Sequence, residues 1–574
     1  MASPANLALD GGDPRQEGGL GVSNYPPQMI RKLHDPTISF EEYLHYAKES
    51  RAWEASAANA ESTSLEGSAL KRRFRLGKEK KIIQGEAPQP AIGNAIATEK
   101  HSLAKESLKN GSVTGVVTSN VTDDEWSTAS RAARTATWGA VFFLLTTDIL
   151  GPFSVPWAIA QTGFGPGWAL YTLFGIFAGY SGWQIWVMYI HLDSDRHPCK
   201  SYGNIAYRIF GPWARYCVNM LQSIQLLFIV SGVVLSSGQS IAQISKNSIC
   251  YIICIFIYTI AGMFVGQVRT LQRFGWLANL AVWLNLLIMF IVMGVAAHSS
   301  PNYQATLASY SIPEGPVITY AGTPPGTTFL RVSMMFCEFM SEMRKPTDFW
   351  KGLICAQAVI YTCYVTFGMV VYSFQGQFAF NPAMQGLSPS ISKRAEYYVP
   401  IFWPDCRCLY SNIGIKVMYV NVLQELLHAP PLTTKTGKWL WISLVPVYWS
   451  VAFIICASIP QFSYISGLVG AVCILQFTYT FPPILMLGFE IKKGAILPSE
   501  VFDAVTGTFT REDGGVKRWA RGFMQKWGVN AFNVFYAIGA TTTAVLGIYS
   551  SVVSLIAGFK GLTVATSFWC AAPV

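Results

Sequence analysis

The sequence predicts an all-α polytopic membrane protein with about eleven transmembrane helices. Of its 574 residues, 51% are hydrophobic and only 13% are charged, whereas a soluble domain carries about 25% charged residues. Apolar segments approach or exceed the roughly 20 residues that cross a bilayer. We predict spans at 137–162, 166–190, 215–243, 249–267, 275–297, 330–343, 352–374, 400–427, 439–459, 463–489 and 532–558.

The distribution of basic residues predicts the orientation of these spans. Residues 1–134 hold 17 Lys/Arg and 17 Asp/Glu, so the net charge of +10 arises in the rest of the chain. With a cytosolic N-terminus, the loops on the inside carry 18 Lys and Arg, against 5 on the outside. Because cytosolic loops are enriched in Lys and Arg, we predict a cytosolic N-terminus, an odd number of spans and no nucleic-acid partner.

The chain divides into three predicted regions. Residues 1–133 are polar and form a largely disordered cytosolic tail, 134–558 form the transmembrane domain, and 559–574 form a short C-terminal tail. One helix is expected inside the first region, because Ser39-Phe40-Glu41-Glu42 is a capping box. The basic run at 71–81 has two open interpretations, contact with anionic lipid or a solvated stretch.

The first span is interrupted at its centre. It reads WGAVFFLLTTDILGPFSVPWAIA over residues 138–160, with Asp148 close to Gly151 and Pro152. An ionisable side chain at this depth is costly and usually functional. Gly and Pro free backbone groups of the helix, which are tolerated at mid-membrane only where they line a cavity. Interrupted helices of this kind are typical of secondary transporters.

We therefore predict a ligand site at this break. Its residues would be Thr147, Asp148, Leu150, Gly151 and Pro152. Backbone amides at the start of the second half-helix suit a carboxylate, because a helix N-terminus carries partial positive charge. Asp148 is the predicted group for a coupling ion. A structural alternative stays open, in which Asp148 only caps the half-helix.

Polar and small residues in other spans have a structural and a functional interpretation. The Gln and Ser residues of 222–240, and the pairs Gly175/Gly179 and Gly262/Gly266, have spacings that favour helix packing over ligand binding. In the tenth span, polar residues 476–480 precede two prolines. That pattern leaves a second broken helix and a simple kink both open.

Several classes of protein are excluded by missing motifs. The chain contains no Gly-x-Ser-x-Gly, no HExxH and no Walker loop, so we predict neither an enzyme nor an ATP-driven pump. Its 12 cysteines are scattered without zinc spacing, so we expect no metal site, no cofactor and no disulfide framework.

Five long segments occur in order along the chain and read DPTISFEEYLHYAKESRAWE, TTDILGPFSVPWAIAQTGFGPGW, SEMRKPTDFWKGL, NIGIKVMYVNVLQELLHAPPLTT and QFTYTFPPILMLGF. These segments resemble the amino acid/auxin permease family, in its fungal branch.

The resemblance implies the fold of the amino acid–polyamine–organocation superfamily, with spans 1–5 and 6–10 as an inverted repeat and span 11 added. The substrate would lie between interrupted spans 1 and 6, and residues 147–152 would supply the first half of its site. Members of this family move neutral amino acids, often together with protons, by alternating access. Na⁺ stays open as the coupling ion, because Thr and backbone oxygens suit either ion.

Two segments depart from the family pattern. Residues 326–343 offer only about 14 residues for the sixth span. Residues 393–410 carry Asp405 and Arg407 where the family has an apolar helix. We attribute both departures to a gene-model or splicing error.

The predicted function is secondary active transport of a neutral amino acid by proton symport. The plasma membrane is favoured over the vacuolar membrane, and the oligomeric state is open. The alternative is a non-transporting amino acid sensor that signals through the long tail, or an inactive isoform, because the sixth span is truncated.

Overall fold

The computed structural model describes part of the chain. The described residues are 38–56, 138–149, 152–199, 201–245, 248–267, 274–310, 312–319, 346–381, 383–387, 414–416, 418–419, 423, 435–458, 467–503, 508–560, 568 and 570. The chain forms two compact units, one of residues 1–49 and 127–574 and one of residues 50–126.

The first described helix, α1 (40–56), begins at the predicted capping box. The Glu42 backbone amide donates a hydrogen bond to Ser39 Oγ at 3.1 Å, which satisfies one of the free amides of the first turn. Residues 40–49 of α1 belong to the larger unit. In the smaller unit, Arg51 and Glu54 form an ion pair of 2.8 Å on the next turns of the helix.

The described residues of the larger unit lie mostly in helices. In chain order they are α2 (Trp138–Ile149), α3 (Val155–Thr162), α4 (Phe164–Leu192), α5 (Tyr202–Phe210), α6 (Pro212–Ile244), α7 (Tyr251–Val265), α8 (Phe274–His298), α9 (Tyr303–Tyr310), α10 (Phe349–Gln375), α11 (Lys435–Ser458), α12 (Phe481–Gly494), α13 (Val516–Gln525) and α14 (Trp527–Lys560). A small antiparallel hairpin, β1 (Phe502–Asp503) and β2 (Thr508–Phe509), lies between α12 and α13.

The predicted all-α polytopic membrane fold is confirmed. Helix ends fall within about five residues of nine predicted spans. The helices that are long and apolar enough to cross a membrane include Pro212–Gln239, Phe349–Phe378, Thr436–Ser458, Gly467–Gly494 and Trp527–Val553. The sixth predicted span, and all but six residues of the eighth, lie outside the described residues, as do the departing segments at 326–343 and 393–410.

The interruption of the first span is confirmed. Helix α2 ends at Ile149, a single 3₁₀ turn covers Pro152–Ser154, and α3 then runs from Val155 to Thr162. Gly163 ends α3 with a φ of +83°, a conformation that favours glycine, and its amide donates to the Ile159 carbonyl at 2.7 Å.

The glycine pairs serve helix packing, as predicted. A Cβ on Gly262 would lie 2.3 Å from the Trp449 ring, so α7 and α11 can approach this closely only because the residue is glycine. A Cβ on Gly175 of α4 would lie 3.5 Å from the Tyr361 ring of α10, so these two helices also pack closely at a glycine. In the third span, the Ser231 hydroxyl donates within its own helix to the Leu227 carbonyl at 2.9 Å.

The tenth span neither breaks nor simply kinks. It is one helix from Gly467 to Gly494, with π-helical turns at Gly470–Ile474 and Gln476–Thr480 ahead of α12. Pro482 and Pro483 lie in the first turn of α12. Their missing N–H groups are tolerated because the preceding turns already use a different hydrogen-bond pattern.

The cysteine prediction is wrong at one place. Cys250 and Cys570 form a disulfide with a Cα–Cα distance of 4.5 Å, across a separation of 320 residues. The Tyr251 amide also donates to the Cys570 carbonyl at 2.9 Å, and the Phe568 amide donates to the Ala457 carbonyl at 3.0 Å. The disulfide and the two hydrogen bonds together tie the chain after α14 to the start of α7 and the end of α11.

Candidate substrate site at the interrupted first span

Both halves of the interrupted span pack on one helix, α10. A Cβ on Gly352 would lie 3.1 Å from the Trp138 carbonyl oxygen of α2, and a Cβ on Gly368 would lie 2.4 Å from Val155 Cγ1 of α3. The two glycines are 16 residues apart, which is about 24 Å at 1.5 Å per residue. Helix α10 is thus a rigid support that holds the two half-helices on either side of the break.

The described residues at the break are apolar and buried. Pro152 and Phe153 are buried in the 3₁₀ turn, and the Phe153 ring meets the Phe367 ring of α10 edge-on at 5.6 Å. Thr146 is fully buried, but its hydroxyl donates to the Phe142 carbonyl at 2.7 Å. That hydroxyl therefore has its hydrogen bond inside α2.

The structure describes only some of the predicted site residues. Thr147 and Asp148 lie in the last turn of α2, while their side chains are outside what the structure describes. Pro152 starts the 3₁₀ turn, and Leu150 and Gly151 are outside the described residues. The backbone thus brings the two ends of this predicted site to the edges of the break.

The two helix ends at the break carry opposite partial charge. Helix α2 ends at Ile149 and α3 begins at Val155 after the 3₁₀ turn of Pro152–Ser154, so the C-terminal end of one helix and the N-terminal end of the other border the break. Carbonyl ends attract cations and amide ends attract anions. This arrangement can bind a zwitterion, with its ammonium group toward α2 and its carboxylate toward α3.

The core around α3 is also apolar. Val155, Ile159 and Ala160 pack with Tyr372 and Ala379 in one buried cluster. Phe153 and Phe367 belong to a neighbouring cluster that includes residues of α8, among them Met289.

Charged side chains are buried at another place, which the sequence analysis did not single out. Glu500 accepts hydrogen bonds from Arg518 and from the backbone amides of Leu497 at 3.0 Å and Glu512 at 3.1 Å. The Arg518 hydrogen bond is the main cause that lowers the pKa of Glu500 to about 2. The spacing of acidic and basic residues over 490–521 was the available signal, but it does not show which of them pair.

The chain matches one family model over most of its membrane domain. The model is described as "Transmembrane amino acid transporter protein" and matches residues 134–496. The chain belongs to this family. It is therefore an integral multi-pass membrane protein of an amino acid transporter family, as the resemblance in the sequence implied.

Curated fungal relatives agree with this assignment. A protein of Gibberella moniliformis named "Transmembrane transporter" is 25% identical over 385 residues, which are 64% of this chain and 79% of that protein. The "N amino acid transport system protein" of Neurospora crassa is 23% identical over 378 residues, 60% of this chain and 74% of that protein. A crystal structure of the Eremococcus coleocola manganese transporter covers 77% of this chain and all of its own chain at 11% identity, but its TM-score of 0.36 supports no conclusion.

Proposed function

We propose that this protein is a secondary active transporter that moves a neutral amino acid together with a proton, with the substrate bound at the break of the first span. Residues 147–152 bind it, and Asp148 takes up and releases the proton. Transport proceeds by alternating access, in which the break opens first to one side of the membrane and then to the other.

One observation carries this proposal. The two half-helices α2 and α3 are held along α10 by close contacts at Gly352 and Gly368, so two helix ends of opposite polarity border the break. An amino acid backbone is a zwitterion, and its two charges match the two helix ends. The same ends would bind an uncharged solute poorly.

A neutral substrate side chain fits the apolar surroundings of the break. A charged substrate side chain would need an opposite charge, because burying an unpaired charge is very costly. The described residues Phe153 and Val155 beside the break pack in apolar clusters.

Two contacts support an N-terminus in the cytosol. Residues 40–49 contact the chain after α4 and the chain after α12, and the basic residues of those two segments predict that both lie inside. The disulfide joins Cys250 to Cys570, and an even number of predicted spans separates the two residues. Because disulfides persist in oxidising compartments, this bond fits a location outside the cytosol, and we propose the plasma membrane.

The direct test is uptake by purified protein in proteoliposomes. We expect an inward proton gradient to drive accumulation of L-alanine, L-leucine or L-phenylalanine, and unlabelled L-glutamate or L-lysine to compete poorly. Saturable binding of a neutral amino acid without any flux would instead favour the sensor. Accumulation that depends on a Na⁺ gradient alone would overturn proton coupling.

Asp148→Asn tests the coupling residue. We expect this variant to bind the amino acid but to lose the pH dependence of its uptake, because the amide cannot titrate. Asp348→Asn is the matched control, since Asp348 lies before α10 and pairs with Lys351 at 2.7 Å, away from the break. A pH dependence that is unchanged in Asp148→Asn would show that another group carries the proton.

A further inference from the structure

The start of the tail helix is docked against the body of the protein. Phe40, Tyr43 and Ala47 lie on one face of α1, at the i, i+3 and i+7 spacing of a helical stripe, and their exposed fractions are 6%, 3% and 1%. Glu41 is also buried, at 6% exposure. Glu49, on the same helix, is exposed. Residues 38–49 therefore pack against the rest of the larger unit through a buried face.

The first side of the docking site is the chain that follows α4. His197 Nε2 lies 3.2 Å from Glu42 Oε1. The Arg196 guanidinium donates to the Tyr46 hydroxyl and lies 4.4 Å from the centre of its ring. Arg208 of α5 lies 4.5 Å from the centre of the Tyr43 ring in the same way, so cation–π contacts hold this side.

The second side is the chain around the end of α12. Glu41 pairs with Arg511 at 3.1 Å and with Arg518 at 3.6 Å. The Phe40 ring meets the Phe489 ring edge-on at 5.9 Å, and the Lys492 ammonium lies 5.5 Å from the centre of the Phe40 ring. One short helix thus joins two segments that lie far apart in the sequence.

Helices α5 and α12 also contact each other directly beside α1. A Cβ on Gly488 of α12 would lie 2.4 Å from the Phe210 ring and 2.8 Å from Ile209 of α5, so α5 and α12 already pack directly. Helix α1 adds contacts to a junction in which α5 and α12 also pack on each other. Arg511 is half exposed, at 54%, so solvent screens its side of the ion pair with the buried Glu41. The contact is therefore suited to reversible release.

We propose that residues 38–49 are a displaceable latch, which clamps the chain after α4 to the end of α12 and slows the transport cycle until it is released. A rocking motion that separates these two segments has to break the contacts on one side of α1. A state that is stabilised by the docked latch becomes less populated when the latch is weakened. The effect on the cycle depends on the proposed function, whereas docking of the helix does not.

Docking is tested first by a reporter cysteine. Ala47→Cys replaces a small buried residue and is labelled with a membrane-impermeant maleimide in inside-out vesicles, with the modified peptide quantified by mass spectrometry. We expect slow labelling that becomes roughly tenfold faster when Glu41→Gln is added, a change that corresponds to about 1.4 kcal/mol. The matched control is Glu49→Gln, the same substitution at an exposed position of the same helix, which leaves the rate unchanged.

Release of the latch is tested by uptake with the same variants. We expect Glu41→Gln to raise the maximal uptake rate several-fold without a change in KM, and Glu49→Gln to match the wild type. Arg511→Gln removes one of the two ion pairs of Glu41 from the exposed side of the contact, so we expect a smaller change in the same direction in both assays, even where Glu41→Gln folds poorly.

The outcomes separate the latch from the proposed function. Fast labelling of Ala47→Cys in the otherwise unchanged chain, or equal rates with Glu41→Gln and Glu49→Gln, overturns the docked latch whether or not the protein transports. Faster labelling with unchanged or lower uptake shows that release of α1 does not speed the transport cycle, which overturns its regulatory role. Absence of uptake in the wild type refutes the proposed transport, and the labelling result still decides the docking.

Discussion

The contact between α3 and α10 at Gly368 provides the sharpest test of how the first span is held. Gly368→Ala would place a methyl carbon 2.4 Å from Val155 Cγ1 and 2.7 Å from Ile159 Cδ1. Carbon atoms in contact are about 3.5–4.0 Å apart. The start of α3 therefore has to move away from α10 by about 1 Å.

The size of the effect follows from the rigidity of the neighbours. Val155 is β-branched and only 2% exposed, so it has few alternative rotamers and no free space into which to turn. Overpacking of this kind costs about 1–3 kcal/mol. Replacing glycine by alanine in a helix also gains up to about 1 kcal/mol from helix propensity, which partly offsets that cost.

A matched substitution removes the propensity gain from the comparison. Gly179→Ala lies on α4 and faces the same helix α10, but its Cβ would lie 3.8 Å from Gln357 Cγ, an ordinary contact. We expect Gly368→Ala to be less stable than Gly179→Ala by about 1–3 kcal/mol. The measurement is the temperature of half-inactivation in detergent, followed by size-exclusion chromatography of the heated protein.

Uptake kinetics add a second readout. Displacement of α3 shifts the amide groups next to the break, so we expect the KM for the neutral amino acid to rise in Gly368→Ala and to stay unchanged in Gly179→Ala. Equal stability and equal KM in the two variants would refute the argument, because α3 would then not be pressed against α10.

Two further predictions concern the ends of the spans. We expect the Cys250 thiol to react with an impermeant maleimide from outside the cell only after reduction or in Cys570→Ser, and reactivity without reduction in the wild type would contradict the disulfide. The pKa of Glu500 is lowered from 4.5 to about 2, chiefly by the Arg518 hydrogen bond. The ionised Glu500 carboxylate therefore stabilises the folded state fully above about pH 4.5, and this contribution is lost as the pH falls toward 2. We therefore expect limited proteolysis of the wild type between α12 and α14 to be equally slow at about pH 7 and about pH 5. Cleavage of Glu500→Gln should be faster at both pH values. Faster cleavage of the wild type at pH 5 would contradict the lowered pKa of Glu500.

Much of the architecture could be predicted because its causes are local. The length of each apolar segment determines whether it can cross a bilayer, and the helix bounds follow the predicted spans closely. Pro152 cannot donate a backbone hydrogen bond, so the interruption after Ile149 was visible in the sequence. Ser39 and Glu42 are three residues apart, and the cap at the start of α1 needs only that spacing.

The tenth span shows where local reasoning fails. Two prolines after a polar stretch indicated a break or a kink, but the chain forms π-helical turns before Pro482 and continues as one helix. Which of these backbone solutions is adopted depends on the neighbours of the helix. Here Tyr479 packs edge-on against Phe174 of α4 at a ring distance of 5.4 Å.

The sequence by itself determined the membrane class, the positions of most spans, the interrupted first helix and the family. Only the tertiary structure decided that both half-helices rest on α10, that Cys250 pairs with Cys570 and that α1 docks between the ends of α4 and α12. The physical reason is the range of the interaction. Capping, breaking and membrane insertion depend on residues a few positions apart, whereas these contacts join residues separated by up to several hundred positions, and only the packing of whole helices brings them together.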